Sequence, residues 1–260
     1  MKNNSHQMSR FLNRRQVLAL FRAGAAAMVA ISIPRKSISM QSRSSQPAEG
    51  LSMANSATSP KCIVKPQQTE GPYFVDEKLN RSDIRSDPSD GSVKPGVPLQ
   101  LTIRVSDVSG TSCVPLAGAM VDIWQCDAQG IYSDVVDPSY NTTGKKFLRG
   151  YQVTNANGTV QFATIYPGWY PSRTVHIHFK IRTPATSAQS HEFTSQLYFD
   201  DALTDRILKQ APYAGKGERT DKNAKDEIFV EGGEQLLLAL TKTGQGYAAT
   251  FDIGLQTSQN

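Results

Sequence analysis

From residue 61 onward, apolar and polar residues alternate in short runs divided by turn residues, with no long stretch at helical spacing. The alternation predicts strands over residues 99–105, 120–126, 147–153, 159–164, 174–182, 193–198, 235–240 and 247–253. Turn signals separate them, most clearly Asn155-Ala156-Asn157-Gly158 and Pro167-Gly168. Only residues 201–210, DALTDRILKQ, have helical spacing. Short strands at this interval predict an all-β domain, a two-sheet β-sandwich with long loops between the strands.

The first 60 residues follow another pattern. Residues 1–48 hold eight basic residues and no acidic one, so the formal charge of +5 becomes −3 once they are set aside. The basic character belongs to this leader, and no nucleic-acid partner is expected. Arg14 and Arg15 precede an alanine-rich apolar run to residue 33, as in a twin-arginine export signal. Arg22 interrupts that run and it is short for a bilayer, so no stable membrane span is expected. The Ser- and Pro-containing stretch 35–60 reads as a spacer, with cleavage near Ala30 or near residues 54–57 both open. The expected organisation is an export leader and spacer over 1–60 and a β-sandwich domain over 61–260. Export to the periplasm or beyond also suits the cysteines. Cys62 and Cys113 are the expected disulfide, and Cys126, in an apolar run beside Trp124, the buried thiol.

Two of the four histidines stand in YPGWYPSRTVHIHFKI, where His176 and His178 alternate with Val175, Ile177 and Phe179. On a strand both imidazoles face one side, which is half a metal site; a half-exposed strand carrying two polar residues gives the same pattern. HExxH and CxxC motifs are absent, His191 lies in a polar loop expected to be solvated, and His6 belongs to the leader. What the surroundings offer is tyrosine: Tyr170 on the approaching turn and Tyr132 in GIYSD. A phenol ionises near pH ~10 in water, so it binds metal at neutral pH only where a strong Lewis acid displaces its proton. Two phenolates with two imidazoles favour Fe(III) over Fe(II) or zinc.

The blocks WQCDAQGIYSD, FLRGYQVTNANGTVQFATIYPGWYPSRTVHIHFKI and TSQLYF, preceded by QTEGPYF, resemble in content and order those of the intradiol ring-cleavage dioxygenases, the protocatechuate and catechol dioxygenase group. The resemblance spans roughly residues 65–230. It implies a non-haem Fe(III) held by Tyr132, Tyr170, His176 and His178, with Tyr170 the ligand that leaves as substrate enters. It also implies that Arg173 stabilises charge developing on the substrate ring and that Gln196 lies near the substrate. The implied reaction opens a catechol-type ring between its two hydroxylated carbons with O2, giving a cis,cis-muconate-type product. Tyr73, with Pro72, is a candidate for the pocket mouth, while Trp124, Tyr151, Tyr166 and Tyr198 are expected to be structural. Residues 210–232 are expected to form a polar loop over the mouth.

The catechol-cleaving branch carries a helical dimerisation segment that nothing between the leader and QTEGPYF is expected to supply, so the resemblance leans toward the protocatechuate-like branch and leaves the oligomeric state and the particular catechol open. The alternative is a non-catalytic exported β-sandwich module binding aromatic or carbohydrate ligands. A zinc hydrolase or an Fe(II) extradiol enzyme would want a third histidine or a carboxylate ligand.

Overall fold

A computed structural model of the chain describes residues 63–109, 112–183 and 191–256. The leader, the spacer and Cys62 lie outside the described residues. The strands are β1 (Pro98–Ser109), β2 (Ser112–Pro115), β3 (Met120–Trp124), the short pair β4 (Val136–Asp137) and β5 (Tyr140–Asn141), β6 (Arg149–Val153), β7 (Thr159–Ile165), β8 (His176–Arg182), β9 (Glu192–Tyr198), β10 (Thr241–Thr243) and β11 (Gly246–Leu255). Two short helices, α1 (Asp201–Leu208) and α2 (Glu227–Val230), lie between β9 and β10.

Two sheets result. In the first, β1 is central: it runs parallel to β11 on one edge and antiparallel to β7 and then β2 on the other, with β10 beyond β11. The second is antiparallel in the order β6-β3-β8-β9. The period-two pattern decides which side chains meet. Leu99, Leu101, Ile103 and Val105 of β1 share one core with Val121 and Ile123 of β3 and Ile177, Phe179 and Ile181 of β8.

The opposite face of the second sheet is also covered. Trp124, Cys126, Tyr132 and Val135 form a second apolar cluster, capped by Tyr73, Phe74, Val75, Tyr140 and Tyr170. The segment 68–79 is clamped over it. Lys180 pairs with Glu70 and Glu192 and stands 4.2 Å over the Phe74 ring, and Arg182 joins Asp76 at 3.1 Å and Asp122 at 2.6 Å. The histidine strand is therefore buried on both faces, which rules out the half-exposed strand.

Seven of the eight predicted strands and the helix form, within a few residues at their ends. Residues 235–240 differ. There the chain makes a 3-10 turn over Gly233–Leu236 and touches the sheet through one bridge, Leu237 to Tyr198. Gly232 sits at φ 97°, and a Cβ on Gly233 would stand 2.5 Å from the Phe229 ring, so this tight bend on Phe229 sets the local path and overrides the alternation of leucines. Stretch 210–232 is more ordered than a loop: Tyr213 and Phe229 are buried in the core. His191 is half-buried, not solvated. Cys113 is disulfide-bonded and Cys126 is the free, buried thiol. Among the described residues no helix is long and apolar enough to cross a membrane.

Candidate active site

The site begins with β8. Pairing with β3 and β9 sets His178 beside Trp124 and Gln196, and His176 beside Tyr198. The Trp124 indole stacks on the His178 ring, centroids 4.9 Å apart and planes 5° from parallel, so the expected core residue also fixes an imidazole plane. Gly71 of EGPYF passes over the same ring. With φ 71° and a virtual Cβ 3.4 Å from His178 Cε1, it suits a bend laid against an imidazole.

Two loops bring the tyrosines. Tyr132 follows a turn in which Asp127 Oδ1 accepts from the backbone N–H of Gln129 and Ile131. Beyond Tyr132 the loop is pinned by the buried Arg149, whose guanidinium donates to Ser133 Oγ at 2.8 Å and to the Ser133 carbonyl. Tyr170 comes from the loop between β7 and β8. The two loops touch backbone to backbone: a Cβ on Gly130 would stand 2.2 Å from the Trp169 carbonyl, and one on Gly168 would stand 2.5 Å from that of Ala128. Only glycine permits this approach, and Gly130 also has φ 77°.

Four polar atoms converge as a result. His176 Nε2 lies 3.0 Å from His178 Nε2, 3.1 Å from Tyr170 Oη and 3.5 Å from Tyr132 Oη. His176 Nδ1 lies 2.7 Å from the Thr174 carbonyl, which fixes the Nδ1–H tautomer and turns the Nε2 lone pair into the cluster. Tyr132, His176 and His178 are 0–2% exposed; Tyr170 is half-buried. Burial pushes both phenols up and pulls both imidazoles down, and Arg173 pulls the imidazoles further.

Three groups crowd one nitrogen that has a single lone pair, and His178 Nδ1 is buried without a partner. A cation among these four atoms would resolve the crowding and replace the phenolic protons, so the residues fit a metal held by oxygen and nitrogen. Among the described residues no group of three or more His, Cys, Asp and Glu gathers for a metal.

Arg173 stands next to the cluster, and its charge acts on Tyr170 and His176. Its Nε donates to Asp226 Oδ2 at 2.8 Å and its Nη2 to Gln196 Oε1 at 2.5 Å. Burial alone would lower its pKa, but Tyr170 and Asp226 together hold it above its ordinary value. Gln196 is fully buried; its Nε2 donates to the Thr69 carbonyl and its Oε1 also accepts from Tyr198 Oη at 3.1 Å. Tyr73 stacks on Tyr132 with centroids 4.5 Å apart and donates to Asp137 Oδ2 at 2.7 Å. With Tyr140, Tyr170, Gly130 and Lys216 it lines an open cavity of about 380 Å³.

All seven site residues read from the sequence thus fall in one neighbourhood. Asp226, Thr174 and the hydroxyl of Tyr198 were not anticipated. The one signal for Asp226 was its place before the apolar run Ile228–Val230, the mark of a helix N-cap.

Residues 69–256 match the family described as "Dioxygenase". The protocatechuate 3,4-dioxygenase beta chain of Burkholderia cepacia is 29% identical over 197 residues, 71% of this chain and 76% of that one. A catechol 1,2-dioxygenase of Candida albicans is 28% identical over 187 residues, 61% of this chain and 56% of its own length. Among solved structures, an intradiol ring-cleavage dioxygenase from Tetranychus urticae superposes with a TM-score of 0.65 at 33% identity, covering 75% of this chain and 95% of that one. The relatives named here are enzymes and do not favour a binding module. On the strength of these matches and of the site they enclose, the chain belongs to the intradiol ring-cleavage dioxygenases, oxidoreductases that open aromatic rings.

Proposed function

We propose that the chain is a non-haem Fe(III) enzyme that opens a catechol-type ring between its two hydroxylated carbons, consuming one O2 and giving a cis,cis-muconate-type product. The observation that carries this reading is the convergence of two phenols and two imidazoles beside a clamped guanidinium. Tyr132, Tyr170, His176 and His178 hold the iron, which when bound there supplies a Lewis acid for the catechol oxygens and makes the ring reactive toward O2.

The residues divide the remaining work by their surroundings. His176 and His178, fixed by sheet pairing, stay in place. Tyr132 is enclosed under Tyr73 and also stays. Tyr170 lines the open cavity, so its Oη is the base that takes a catechol hydroxyl proton and moves aside with it. Arg173 presents a fixed positive charge to the ring as negative charge develops on it, an interaction of a few kcal/mol, about 3, in preorganised sites. Gln196 holds Arg173 at the substrate side, and Tyr73 forms the wall where the ring enters.

The test is the visible spectrum of the purified protein, before and after catechol is added without oxygen. A broad phenolate-to-iron band that moves to longer wavelength with catechol is expected; a protein that stays colourless after loading with ferric iron would sink the proposal. Export is part of it. Its support is the Arg14-Arg15 pair and the disulfide at Cys113, a bond of oxidising compartments. Replacing both arginines by lysine should leave the protein in the cytoplasmic fraction.

A further inference from the structure

One buried carboxylate touches both the guanidinium and the histidine strand. Asp226 is 1% exposed and serves four donors. Its Oδ2 accepts from Arg173 Nε at 2.8 Å and from the Thr174 backbone N–H at 2.7 Å. Its Oδ1 accepts from the Ile228 and Phe229 N–H groups at 2.9 and 3.0 Å, capping α2. The other face of Thr174 continues the chain of contacts, since its carbonyl is the group against which His176 Nδ1 rests at 2.7 Å.

We propose that Asp226 is the positioning residue of this site, aiming the Arg173 guanidinium and, through the Thr174 backbone, keeping His176 in the tautomer whose Nε2 points into the donor cluster. What Arg173 does to a substrate rests on the function proposed above; how Asp226 holds it rests only on the geometry. A guanidinium has five N–H donors in a rigid plane, so bonds at Nε and Nη2 fix the direction of that plane. A lone Gln196 contact would let the plane turn about one bond. The carboxylate is needed because only it accepts at both oxygens. An asparagine would set its NH2 either against the Arg173 and Thr174 donors or against those of α2, donor facing donor. α2 itself is four residues long and depends on this cap, so the segment that brings Asp226 to the site is held by the same carboxylate.

The test compares Asp226→Asn with Asp200→Ala, which removes the analogous cap of α1, where Asp200 accepts from Leu203 N–H, and leaves the site untouched. In iron-loaded protein, Asp226→Asn is expected to lower kcat for catechol about 10- to 100-fold, in the range of lost outer-shell partners, with KM changed less than about threefold. Asp200→Ala should keep kcat at the wild-type value even where its Tm falls as far. A second readout needs neither iron nor turnover. In metal-free wild-type protein, 15N spectra should show the Nδ1–H tautomer of His176 and an Arg173 Nε–H protected from exchange; in Asp226→Asn the tautomers should mix and the protection should go.

If Asp226→Asn keeps wild-type kcat with both signals intact, or if kcat in the two variants falls only in step with Tm, the assignment is overturned. Should the wild-type protein neither take up iron nor open catechol, the proposed function fails. The metal-free spectra then decide on Asp226 alone: wild-type signals in Asp226→Asn overturn it, and their loss supports it.

Discussion

The histidine half of the donor cluster is buried throughout, the tyrosine half only at Tyr132, and the two are built by different means. His176 and His178 sit on a strand paired on both edges, where the ladder and the Trp124 stack determine their places. Tyr132 and Tyr170 come from two loops whose positions depend on side-chain bonds to backbone and on a glycine-to-carbonyl contact. A rigid half and a half that rests on loops suit the function proposed above, in which the site would hold an ion and let one ligand move. A sheet supplies the fixed donors at no further conformational cost, and loops supply the adjustable one.

The largest effect should come from breaking the rigid half. His178→Ala removes a donor that nothing nearby replaces, and bound iron is expected to fall by more than about 100-fold, beyond the loss of an outer-shell partner. Tyr170→Phe should instead retain measurable iron while turnover falls, because the other three donors keep their places. Metal analysis and oxygen uptake on both variants check the contrast; equal iron loss in the two would dissolve it.

Arg173 lies between the halves and sharpens the comparison. Arg173→Lys keeps a cation for Asp226 but gives up the planar fork that reaches Gln196. Iron content should stay near wild type while kcat drops about 100-fold, the usual loss when a preorganised donor to a developing charge is removed. Loss of iron in this variant would place Arg173 with the structural supports of the cluster.

How much of this was legible in the sequence follows the same division. Strand residues announce themselves through period-two alternation, so β8, its neighbours and the shared side of His176 and His178 could be read directly. The tyrosines were singled out by the resemblance of their blocks to the intradiol family, because Tyr166 and Tyr198 also lie near the histidines and phenol chemistry alone does not separate the four. Asp226 was not legible. It lies 53 residues from Arg173 in a polar stretch that also holds Asp221 and Glu227, and only the fold selects it. The misread stretch 235–240 failed for a related reason, because two glycines bent over Phe229 outweigh a leucine pattern, and that ring's position is a tertiary fact.

The loop contact predicts the next effect in size. Gly168→Ala would press a methyl group onto the Ala128 and Asp127 carbonyls and force the two tyrosine loops apart. Stability should drop by about 1–3 kcal/mol, as for overpacking elsewhere. The phenolate band should weaken or shift, while the Trp124–His178 stack, which the sheet sets, stays in place. A lower Tm with an unchanged band would show that the loops do not position the phenols.

The smallest effect lies at the far end of the histidine strand. Asp76 is held below its ordinary value of 3.8 chiefly by its hydrogen bond from Arg182, which ties the covering segment 68–79 to the end of β8. A carboxyl whose folded pKa lies below its unfolded one binds fewer protons in the folded state. The stability it contributes is therefore complete above 3.8 and disappears as the pH falls through the lower folded value. Both partners are about one-third exposed, so screening by solvent keeps the contribution under about 1 kcal/mol. Asp76→Asn should leave Tm unchanged in acid once the pH has fallen through that lower folded value, and lower it by one to a few degrees, roughly, at pH 6. Because the pair joins the covering segment to the far end of β8 and touches neither tyrosine loop, the phenolate band at pH 6 should be identical in variant and wild type. A band that moved with this remote carboxylate would mean that the covering segment, and not the strand beneath it, sets the geometry of the donors.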